Sequence, residues 1–228
     1  MSKCFAVAID GPAGAGKSTV AKKVARALNA IYLDTGAMYR AVGLYMLRQG
    51  VPTDDAAQVA SRAPEARVDV RYVDGAQRVY LCGEDVSQAI RENEVSAAAS
   101  AVSAVPLVRE LMVARQREIA EGADVVMDGR DIGTKVLPDA PLKVFLTAAA
   151  EVRARRRFLE LQAKGQEVPY EQLLSEIIQR DHNDATRAAS PMVQAADAVL
   201  VDSSDMTADE VAEAIVAMAR EKMGAARA

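Results

Sequence analysis

The amino-acid sequence predicts an α/β fold of three layers, in which helices flank a five-stranded parallel sheet. Short apolar runs alternate along the chain with segments whose apolar residues recur at helical spacing. The runs are continuously apolar, as expected for strands that are covered on both faces. In chain order they are FAVAI (5–9), IYL (31–33), DVVM (124–127), LKVFL (142–146) and AVLV (198–201).

Helices are predicted between and after these strands. Val20, Val24 and Leu28 are spaced four apart in KSTVAKKVARAL, which is typical of a helix with one apolar face. Thr207 followed by Glu210 forms a capping box for a last helix. Further helices are predicted for SAAASAVSAV, with a close-packing face, and for PLVRELMVARQREIAEG and EVRARRRFLELQAKG, each closed by a glycine suited to a helix end.

One segment, residues 67–87, departs from this alternation. Apolar and polar residues alternate strictly from Val68 to Tyr72, which is the pattern of a strand with one solvated face. Asp74 and Gly75 then form a hairpin turn signal, and apolar residues resume on a second strand. The segment therefore predicts a small antiparallel insert between the second and third strands of the main sheet.

Composition excludes several classes of protein. The 228 residues fit one compact domain, and the net charge of −4 provides no basic field for nucleic acid. Cys4 and Cys82 lie far apart without a CxxC pair, which argues against a zinc site or a disulfide framework. Apolar runs are too short for a signal peptide or a membrane span. We expect a cytoplasmic monomer whose partners are small molecules, with no nucleic acid and no membrane.

The stretch GPAGAGKS has the Walker A pattern of a phosphate loop, placed between a strand and a helix. Its glycines let successive backbone N–H groups curl around a phosphate, Lys17 reaches the β and γ phosphates, and Ser18 can bind Mg²⁺. No Asn-Lys-x-Asp segment for reading guanine is present, which disfavours a GTPase. We predict that ATP is bound by Gly11, Pro12, Ala13, Gly14, Ala15, Gly16, Lys17, Ser18 and Thr19.

A first candidate for a second site is LDTGAMYR, residues 33–40, after the second strand. Thr35 offers a hydroxyl, Gly36 allows close backbone approach, and Arg40 is a candidate phosphate ligand. A strand-to-helix turn with an arginine on a solvated face is the alternative.

A second candidate is VVMDGRDIGT, residues 125–134, at the carboxyl end of the third strand, where open α/β sheets place ligands. Asp128 could hold Mg²⁺ through water, Arg130 could bind a phosphate, and Asp131 could accept from the amino group of a base. The alternative is a salt-bridged turn.

A third candidate is QRDHNDATRAASP, residues 179–191. Arg180, Asp184 and Arg187 are predicted to share one helical face, and two arginines around one aspartate leave positive charge for an anion. Surface ion pairs are the alternative. The single histidine, His182, lies off this face, and we assign it a surface or capping role rather than catalysis.

A fourth basic cluster lies in EVRARRRFLELQ. Arg153, Arg156 and Arg157 share a predicted helical face that suits a mobile lid over the triphosphate, since phosphoryl transfer needs charge neutralisation. A solvated basic face is the alternative. The predicted catalytic residues are Lys17, Arg130, Arg153 and Arg156.

The motifs DGPAGAGKST, LDTGAMYRA, DGRDIGT.VLPDA and RDxxDxxRxxSP, with the small insert, resemble in their order those of the bacterial cytidylate kinase family. The resemblance extends over nearly the whole chain. It implies a P-loop kinase fold, Mg²⁺ with ATP as donor, and CMP or dCMP as acceptor. It also implies a single domain, 1–228, divided into a core (1–60, 95–150 and 185–228), a nucleotide-monophosphate-binding insert (about 61–94) and a helical lid (about 151–184).

The resemblance further implies roles for individual residues. Arg40, Arg130 and Arg187 would hold the acceptor phosphate, Arg180 with Asp184 would contact the sugar, and Ser100, Arg109 and Asp131 would read cytosine. Together with Thr35, these residues form the predicted CMP site, while Ser18 and Asp128 form the metal site. Two other functions stay open from the residues alone: a kinase for another small acceptor, such as a different nucleotide or a sugar acid, and an ATP-dependent switch without an acceptor.

Overall fold

The computed structural model of the chain describes residues 4–163 and 165–227. The strands are β1 (Ala6–Asp10), β2 (Ile31–Asp34), β3 (Val68–Val73), β4 (Ala76–Leu81), β5 (Glu84–Asp85), β6 (Val125–Gly129), β7 (Leu142–Thr147) and β8 (Val199–Asp202). The α-helices are α1 (Lys17–Leu28), α2 (Thr35–Arg48), α3 (Ala56–Arg62), α4 (Asn93–Val102), α5 (Pro106–Glu121), α6 (Ala150–Ala163), α7 (Tyr170–Thr186) and α8 (Ala208–Arg227). Short 3₁₀ turns at Ala63–Glu65 and Ala89–Arg91 and a π-helical turn at Ile132–Val136 connect them.

The five apolar runs form a parallel sheet in the order β2–β6–β1–β7–β8, which confirms the predicted α/β class. The central strands are covered on both faces: in β1, Val7 and Ile9 on one face and Ala8 on the other have no exposed surface. The last strand differs, because Val199 and Leu200 of β8 at the sheet edge are about half exposed, at 42% and 56%. Continuous apolar runs therefore predicted strand positions well, although the edge strand is less buried than its sequence suggests.

The chain forms two compact units, which we call the phosphate-loop unit (Met1–Ile31 and Ala123–Ala228) and the hairpin unit (Tyr32–Gly122). In the hairpin unit, α2 packs on α4, which begins just before the Ala/Ser-rich stretch. A Cβ on Gly43 of α2 would lie 2.9 Å from the amide nitrogen of Ala99 in α4, so the two helices approach as closely as a glycine permits. This confirms the predicted close-packing face. The division into core, insert and lid stays a prediction.

The predicted hairpin is confirmed as β3 and β4, and β5 adds a short third strand to this antiparallel sheet. Asp74 and Gly75 both have positive φ, 52° and 71°, as a two-residue hairpin turn with the twist of the flanking strands requires. The register places Tyr72 of β3 directly opposite Gln77 of β4, so their side chains share one face of the hairpin.

Helix ends follow the sequence signals in part. The capping box of α8 is confirmed, because Thr207 N–H donates to Glu210 Oε2 at 2.8 Å and Glu210 N–H donates to Thr207 Oγ1 at 3.2 Å. Gly165, after α6, has the left-handed φ of +71°, whereas Gly122, after α5, has φ −91°. The predicted end of α5 at this glycine is confirmed, because the helix ends at Glu121, but the conformation of Gly122 is open to any residue and does not require glycine.

In the described part of the chain, no single helix is long and apolar enough to cross a membrane, and α4 with α5 reach that length only when counted together across a bend of 102°.

Candidate nucleotide-binding site

The phosphate loop and the stretch after β6 begin side by side. Strands β1 and β6 are parallel neighbours, and their register pairs Asp10 with Gly129, the last residue of each strand. The loop that starts at Gly11 and the segment that starts at Arg130 therefore leave the same carboxyl edge of the sheet. This edge is where open α/β sheets bind their ligands.

The geometry of the loop requires its first glycine. Gly11 has φ +142°, and a Cβ there would lie 2.0 Å from the carbonyl oxygen of Leu146, so another side chain would displace β7. At the other end of the loop, Lys17 begins α1 and is buried. Its ammonium donates to the carbonyl oxygen of Pro12 at 2.6 Å, which holds the side chain across the loop.

Burial, and then the positive charge of Arg130, hold the pKa of Lys17 well below its usual range, although Asp128 and Asp10 act in the opposite direction. An incoming polyanion would favour the protonated form of this lysine. The loop therefore presents a cationic group whose charge is most stable when phosphate is bound.

Ser18 and Asp128 lie in contact, as the predicted metal site requires. Ser18 Oγ donates to Asp128 Oδ2 at 2.7 Å, and Asp128 is buried at the end of β6. A hydroxyl and a carboxylate are oxygen ligands of the kind that Mg²⁺ prefers, usually with phosphate oxygens and waters completing its shell. The residues present therefore fit the ion that sequence reasoning assigned to them.

Asp10 is a buried residue of this edge that sequence reasoning missed. Its two carboxylate oxygens accept from the amides of Ile132 and Gly133 at 2.8 and 2.7 Å. Burial raises the pKa of Asp10 to about 6, against the lowering effect of these two N–H groups. Asp10 thus holds the backbone just after Asp131, and its position directly before Gly11 at a strand end was the available signal.

Arginines and carboxylates interlock beyond β6. Arg130 Nε donates to Asp184 Oδ2 at 2.8 Å. Arg187 lies 3.7 Å from Asp184 Oδ1 and 4.0 Å from Asp131 Oδ1. We call Arg130, Asp131, Arg180, Asp184 and Arg187 the arginine cluster; the structure brings four of them together through these contacts, and Arg180 lies near enough to influence Asp184 electrostatically.

The pKa of Asp184 reports the positive character of this cluster. Burial alone would raise it, but the charge and hydrogen bond of Arg130, followed by the charges of Arg180 and Arg187, hold the pKa of Asp184 below its usual range. Asp184 is therefore an ionised carboxylate at neutral pH. Three guanidinium groups act on it, so positive charge exceeds negative charge around this residue.

The expectation that Arg187 shares a helical face with Arg180 and Asp184 was wrong. Helix α7 ends at Thr186, and Arg187 follows it with φ −58° and ψ 139°, an extended conformation. Its side chain nevertheless returns to Asp184, and its Nε donates to the carbonyl oxygen of Ser190 at 2.6 Å. His182 is exposed, in agreement with the surface role predicted for it.

The arginines of α6 differ in their contacts. Arg153 is buried, and its guanidinium donates to the carbonyl oxygens of Ala148 and of Ala13 in the phosphate loop, at 2.8 and 3.0 Å. It also pairs with Asp181 of α7 at 2.7 Å, a partner that sequence reasoning did not single out. Its contact with Ala13 connects α6 to the backbone of the phosphate loop.

Arg156 and Arg157 have other partners. Arg156 donates to the carbonyl oxygens of Ser203 and Met206, at 2.6 and 3.5 Å, beyond the end of β8. Arg157 pairs with Glu160 on the exposed side of α6 at 3.4 Å. The catalytic role assigned to Arg156 stays a prediction. In this conformation its guanidinium connects α6 to the segment between β8 and α8.

In the hairpin unit, Arg40 and Thr35 lie on the first two turns of α2. Asp34 caps this helix by accepting from the amide of Ala37 at 2.9 Å, and its second oxygen accepts from Arg40 Nη2 at 3.0 Å. Thr35 is buried beside the cap. The cap residue Asp34 is thus the anchor of Arg40, a function that the sequence motif did not reveal.

Ser100 and Arg109, also in the hairpin unit, are connected through Ser103. Ser103 Oγ donates to the carbonyl oxygen of Ser100 at 2.8 Å, and Arg109 Nη1 donates to that of Ser103 at 3.1 Å. The Arg109 guanidinium lies 5.4 Å from the ring centre of Tyr39, within cation–π range. Tyr39 and Ser103 were not recognised in the sequence, because their roles depend on the packing of α2, α4 and α5.

A strand, a glycine-rich loop, a buried lysine at a helix N-terminus and a Ser–Asp pair define the P-loop class of nucleotide-binding α/β proteins. The family model described as cytidylate kinase matches residues 7–221. The chain belongs to the cytidylate kinase family, which confirms the resemblance of its four motifs.

Curated relatives agree with this assignment. The cytidylate kinase of Caldicellulosiruptor bescii is 51% identical over 210 residues, which cover 92% of this chain and 93% of that protein. The cytidylate kinase of Mycobacterium avium is 52% identical over 228 residues and covers 100% of both chains. Among solved structures, an uncharacterized protein from Eubacterium ventriosum has a TM-score of 0.51 at 13% identity, covering 95% of this chain and 98% of that one, and shows the fold alone.

Proposed function

We propose that the protein transfers the γ-phosphoryl group of ATP to CMP or dCMP, giving ADP and CDP or dCDP. The observation that carries this proposal is the register of β1 and β6. Because these strands are adjacent, the phosphate loop and the first two residues of the arginine cluster, Arg130 and Asp131, follow neighbouring strand ends. The predicted triphosphate site would therefore adjoin a second site of excess positive charge. Membership of the cytidylate kinase family supports cytidylate as the acceptor.

For the donor, we assign ATP binding to Gly11–Thr19. Backbone N–H groups and the N-terminus of α1 would surround the phosphates, and Lys17 would contact the transferred group. Ser18 and Asp128 would hold Mg²⁺, directly or through water. When bound, Mg²⁺ supplies positive charge to the β and γ phosphate oxygens.

For the acceptor phosphate, we assign Arg130 and Arg187 in the phosphate-loop unit and Arg40 in the hairpin unit. Each guanidinium lies against a carboxylate, which fixes the direction in which its fork can bind a phosphate. Arginine is suited to this task because its planar guanidinium binds two phosphate oxygens at once.

For the nucleoside, we assign Arg180 and Asp184 to the sugar and Ser100, Arg109 and Asp131 to cytosine, with Thr35 as a further hydroxyl. Cytosine presents an N4 amino donor beside the N3 and O2 acceptors. A carboxylate opposite N4 would accept its hydrogen, whereas uracil would bring a carbonyl oxygen against that carboxylate. Such an opposition of two buried acceptors is costly, so Asp131 would favour cytosine.

The transfer itself needs positioning and charge more than covalent help. An oxygen of the CMP phosphate attacks the γ phosphorus, the bond to the β-bridging oxygen breaks, and ADP leaves with that electron pair. The nucleophile is already anionic near neutral pH, so no side-chain base is required. Lys17 and Arg130 would stabilise the charge that develops on the transferred group. Arg153 and Arg156 of the predicted lid would contribute to the same stabilisation and exclude water.

One panel of assays tests this proposal. ADP production from Mg-ATP is measured with CMP, dCMP, UMP, AMP and GMP, each against a reaction without acceptor. We expect turnover to depend on acceptor and to be fastest with CMP or dCMP. Equal ADP production without acceptor would support the ATP-dependent switch instead, and a preference for AMP or UMP would refute the assignment of cytosine.

A further inference from the structure

The hairpin formed by β3 and β4 is attached to the strand end that precedes α2. Tyr72 and Gln77 face each other across the hairpin, and both bind main-chain groups of residues in β2. Tyr72 Oη donates to the carbonyl oxygen of Tyr32 at 3.1 Å. The Gln77 amide binds Asp34 twice: its Oε1 accepts from Asp34 N–H at 2.7 Å and its Nε2 donates to the Asp34 carbonyl oxygen at 3.2 Å.

Two of these three hydrogen bonds are made to Asp34, the residue that orients Arg40, and the third is made to Tyr32, two residues earlier in the same strand. The Gln77 side chain satisfies both backbone groups of Asp34, much as a neighbouring strand would. The Asp34 carboxylate then has two tasks, because one oxygen caps α2 and the other binds Arg40. A Cβ on Gly36 would lie only 3.2 Å from Asp34 Oδ1, so glycine at this position leaves room for the carboxylate.

Arg40 depends strongly on this anchor. Its Nε is buried, and within residues 4–163 and 165–227 it has no hydrogen-bond partner, while the Nη2 contact with Asp34 holds the guanidinium. A buried, unsatisfied N–H is costly unless a ligand completes it. This arrangement is the one expected of an arginine that is oriented by one carboxylate and binds an anionic ligand.

We propose that Gln77, supported by Tyr72, is a positioning residue for the acceptor phosphate: through Asp34 it sets the direction of Arg40. This inference deepens the proposed function and rests on it. It assigns the hairpin a role in phosphate recognition that is exerted through Arg40, without contact between the hairpin and the nucleotide being required. The effect of Gln77 should therefore be confined to ligands that carry the phosphate.

The test compares the affinities of CMP and cytidine, measured by titration calorimetry without ATP, for the full chain and its variants. Cytidine lacks the phosphate and reports on base and sugar binding alone. Gln77→Met removes both hydrogen bonds to Asp34 while keeping the length of the side chain. We expect CMP affinity to fall about tenfold and cytidine affinity to stay within about twofold. The matched control Gln58→Met, an exposed glutamine of the hairpin unit, should change neither.

A double-mutant cycle separates positioning from a general structural effect. Arg40→Met should lower the ratio of CMP to cytidine affinity by at least as much as Gln77→Met, and the double variant should lower it no further than Arg40→Met alone. Tyr72→Phe removes only one hydroxyl and should lower the ratio of CMP to cytidine affinity by about threefold. This variant replaces Gln77→Met in the test if Gln77→Met does not fold. Urea unfolding of each variant establishes that the native state is populated.

Four results would overturn the inference. An unchanged affinity ratio in Gln77→Met would mean that Gln77 does not act on Arg40. Equal losses for CMP and cytidine would assign Gln77 to the support of the hairpin unit as a whole, as would additive losses in the double variant. If the wild-type protein bound CMP no more tightly than cytidine, the proposed function would fail as well, whereas the other three results leave it intact.

Discussion

The phosphate loop and the arginine cluster hold their cations in opposite ways. Lys17 is held by a backbone carbonyl, that of Pro12, whereas Arg130 is held by the carboxylate of Asp184. A carbonyl oxygen satisfies a hydrogen bond without cancelling charge. A carboxylate fixes the direction of a guanidinium fork but neutralises much of its field. The loop is therefore arranged for the strength of its charge and the cluster for the direction of its donors.

Two buried aspartates of the phosphate-loop unit show the same contrast. Burial raises the pKa of Asp10 to about 6, since its nearest partners are neutral amides. Burial acts on Asp184 too, but Arg130 and its neighbours outweigh it and lower the pKa. The difference teaches that burial alone does not decide the charge state of a carboxylate; the charge of its hydrogen-bond donors does.

The largest expected effect comes from removing the loop's cation. Lys17→Ala should reduce kcat with CMP by at least about a thousandfold, because the transferred phosphoryl group loses the cation that the phosphate loop holds beside it. Steady-state ADP production measures it. The control is Lys22→Ala, an exposed lysine of the same helix, which should keep wild-type turnover. A near-normal kcat for Lys17→Ala would contradict the inference that the phosphate loop acts through the charge of its lysine.

The second prediction uses the opposite pKa shifts. Asp10 has a folded-state pKa above its usual 3.8, so its contribution to stability is complete below pH 3.8 and is lost as pH rises to about 6. Relative to Asp10→Asn, the wild-type free energy of unfolding should therefore fall by about 3 kcal/mol over that window. Urea unfolding at a series of pH values measures this difference, which should level off above the window.

Asp184→Asn is the matched opposite for that experiment. Because the pKa of Asp184 is lowered, its contribution is present above pH 3.8 and is lost as pH falls through the folded-state value. The wild-type advantage over this variant should thus shrink with acid, while the advantage over Asp10→Asn shrinks with base. Parallel curves for the two variants would contradict the contrast between the two aspartates.

The third prediction concerns Asp131, the carboxylate of the arginine cluster that we assign to the recognition of cytosine. Asp131→Ala should lower the ratio of kcat/KM for CMP over UMP by about ten- to a hundredfold, through loss of the acceptor for the cytosine amino group. Asp139→Ala, an exposed aspartate of the same loop region, serves as the control. If Asp131→Ala retained wild-type discrimination, cytosine would be read by another residue.

The smallest expected effect comes from a residue outside the phosphate loop and the arginine cluster. Its substitution changes the stability of the fold without changing any charge. Gln116 of α5 is 1% exposed, and in the described part of the chain neither polar atom of its side chain has a hydrogen-bond partner. Gln116→Met should therefore raise the free energy of unfolding by about 1 kcal/mol and Tm by a few degrees, at unchanged kcat. Thermal unfolding measures it, with exposed Gln172→Met as the neutral control. A lower Tm would indicate that Gln116 is satisfied in solution.

Local patterns predicted much of the fold. Continuous apolar runs located all five strands of the parallel sheet, strict alternation located the hairpin, and Thr207 with Glu210 located the start of α8. These signals succeed because strand burial, turn conformation and helix capping depend on residues within a few positions of each other. The Walker A loop belongs to the same group, since strand, loop and helix are consecutive.

Contacts between distant segments could not be predicted in this way. The sequence indicated Arg153 as a lid residue, but its bonds to Ala13 and Asp181 depend on how α6 packs against the loop and α7. Arg187 was placed on a helix that in fact ends one residue earlier. Without a strong capping signal, a sequence pattern locates a helix end only to within about one or two residues.

The sequence by itself determined the fold class, the phosphate loop, the hairpin and the family, because each is written in residues that lie close together along the chain. Only the tertiary structure decided which group holds each cation. The carbonyl oxygen of Pro12 holds Lys17, the carboxylate of Asp184 holds Arg130, and that of Asp34, supported by Gln77, holds Arg40. The physical reason is that hydrogen bonds and ion pairs act over a few ångströms of space. The partners of a buried charge are therefore chosen by packing, whatever their separation in sequence.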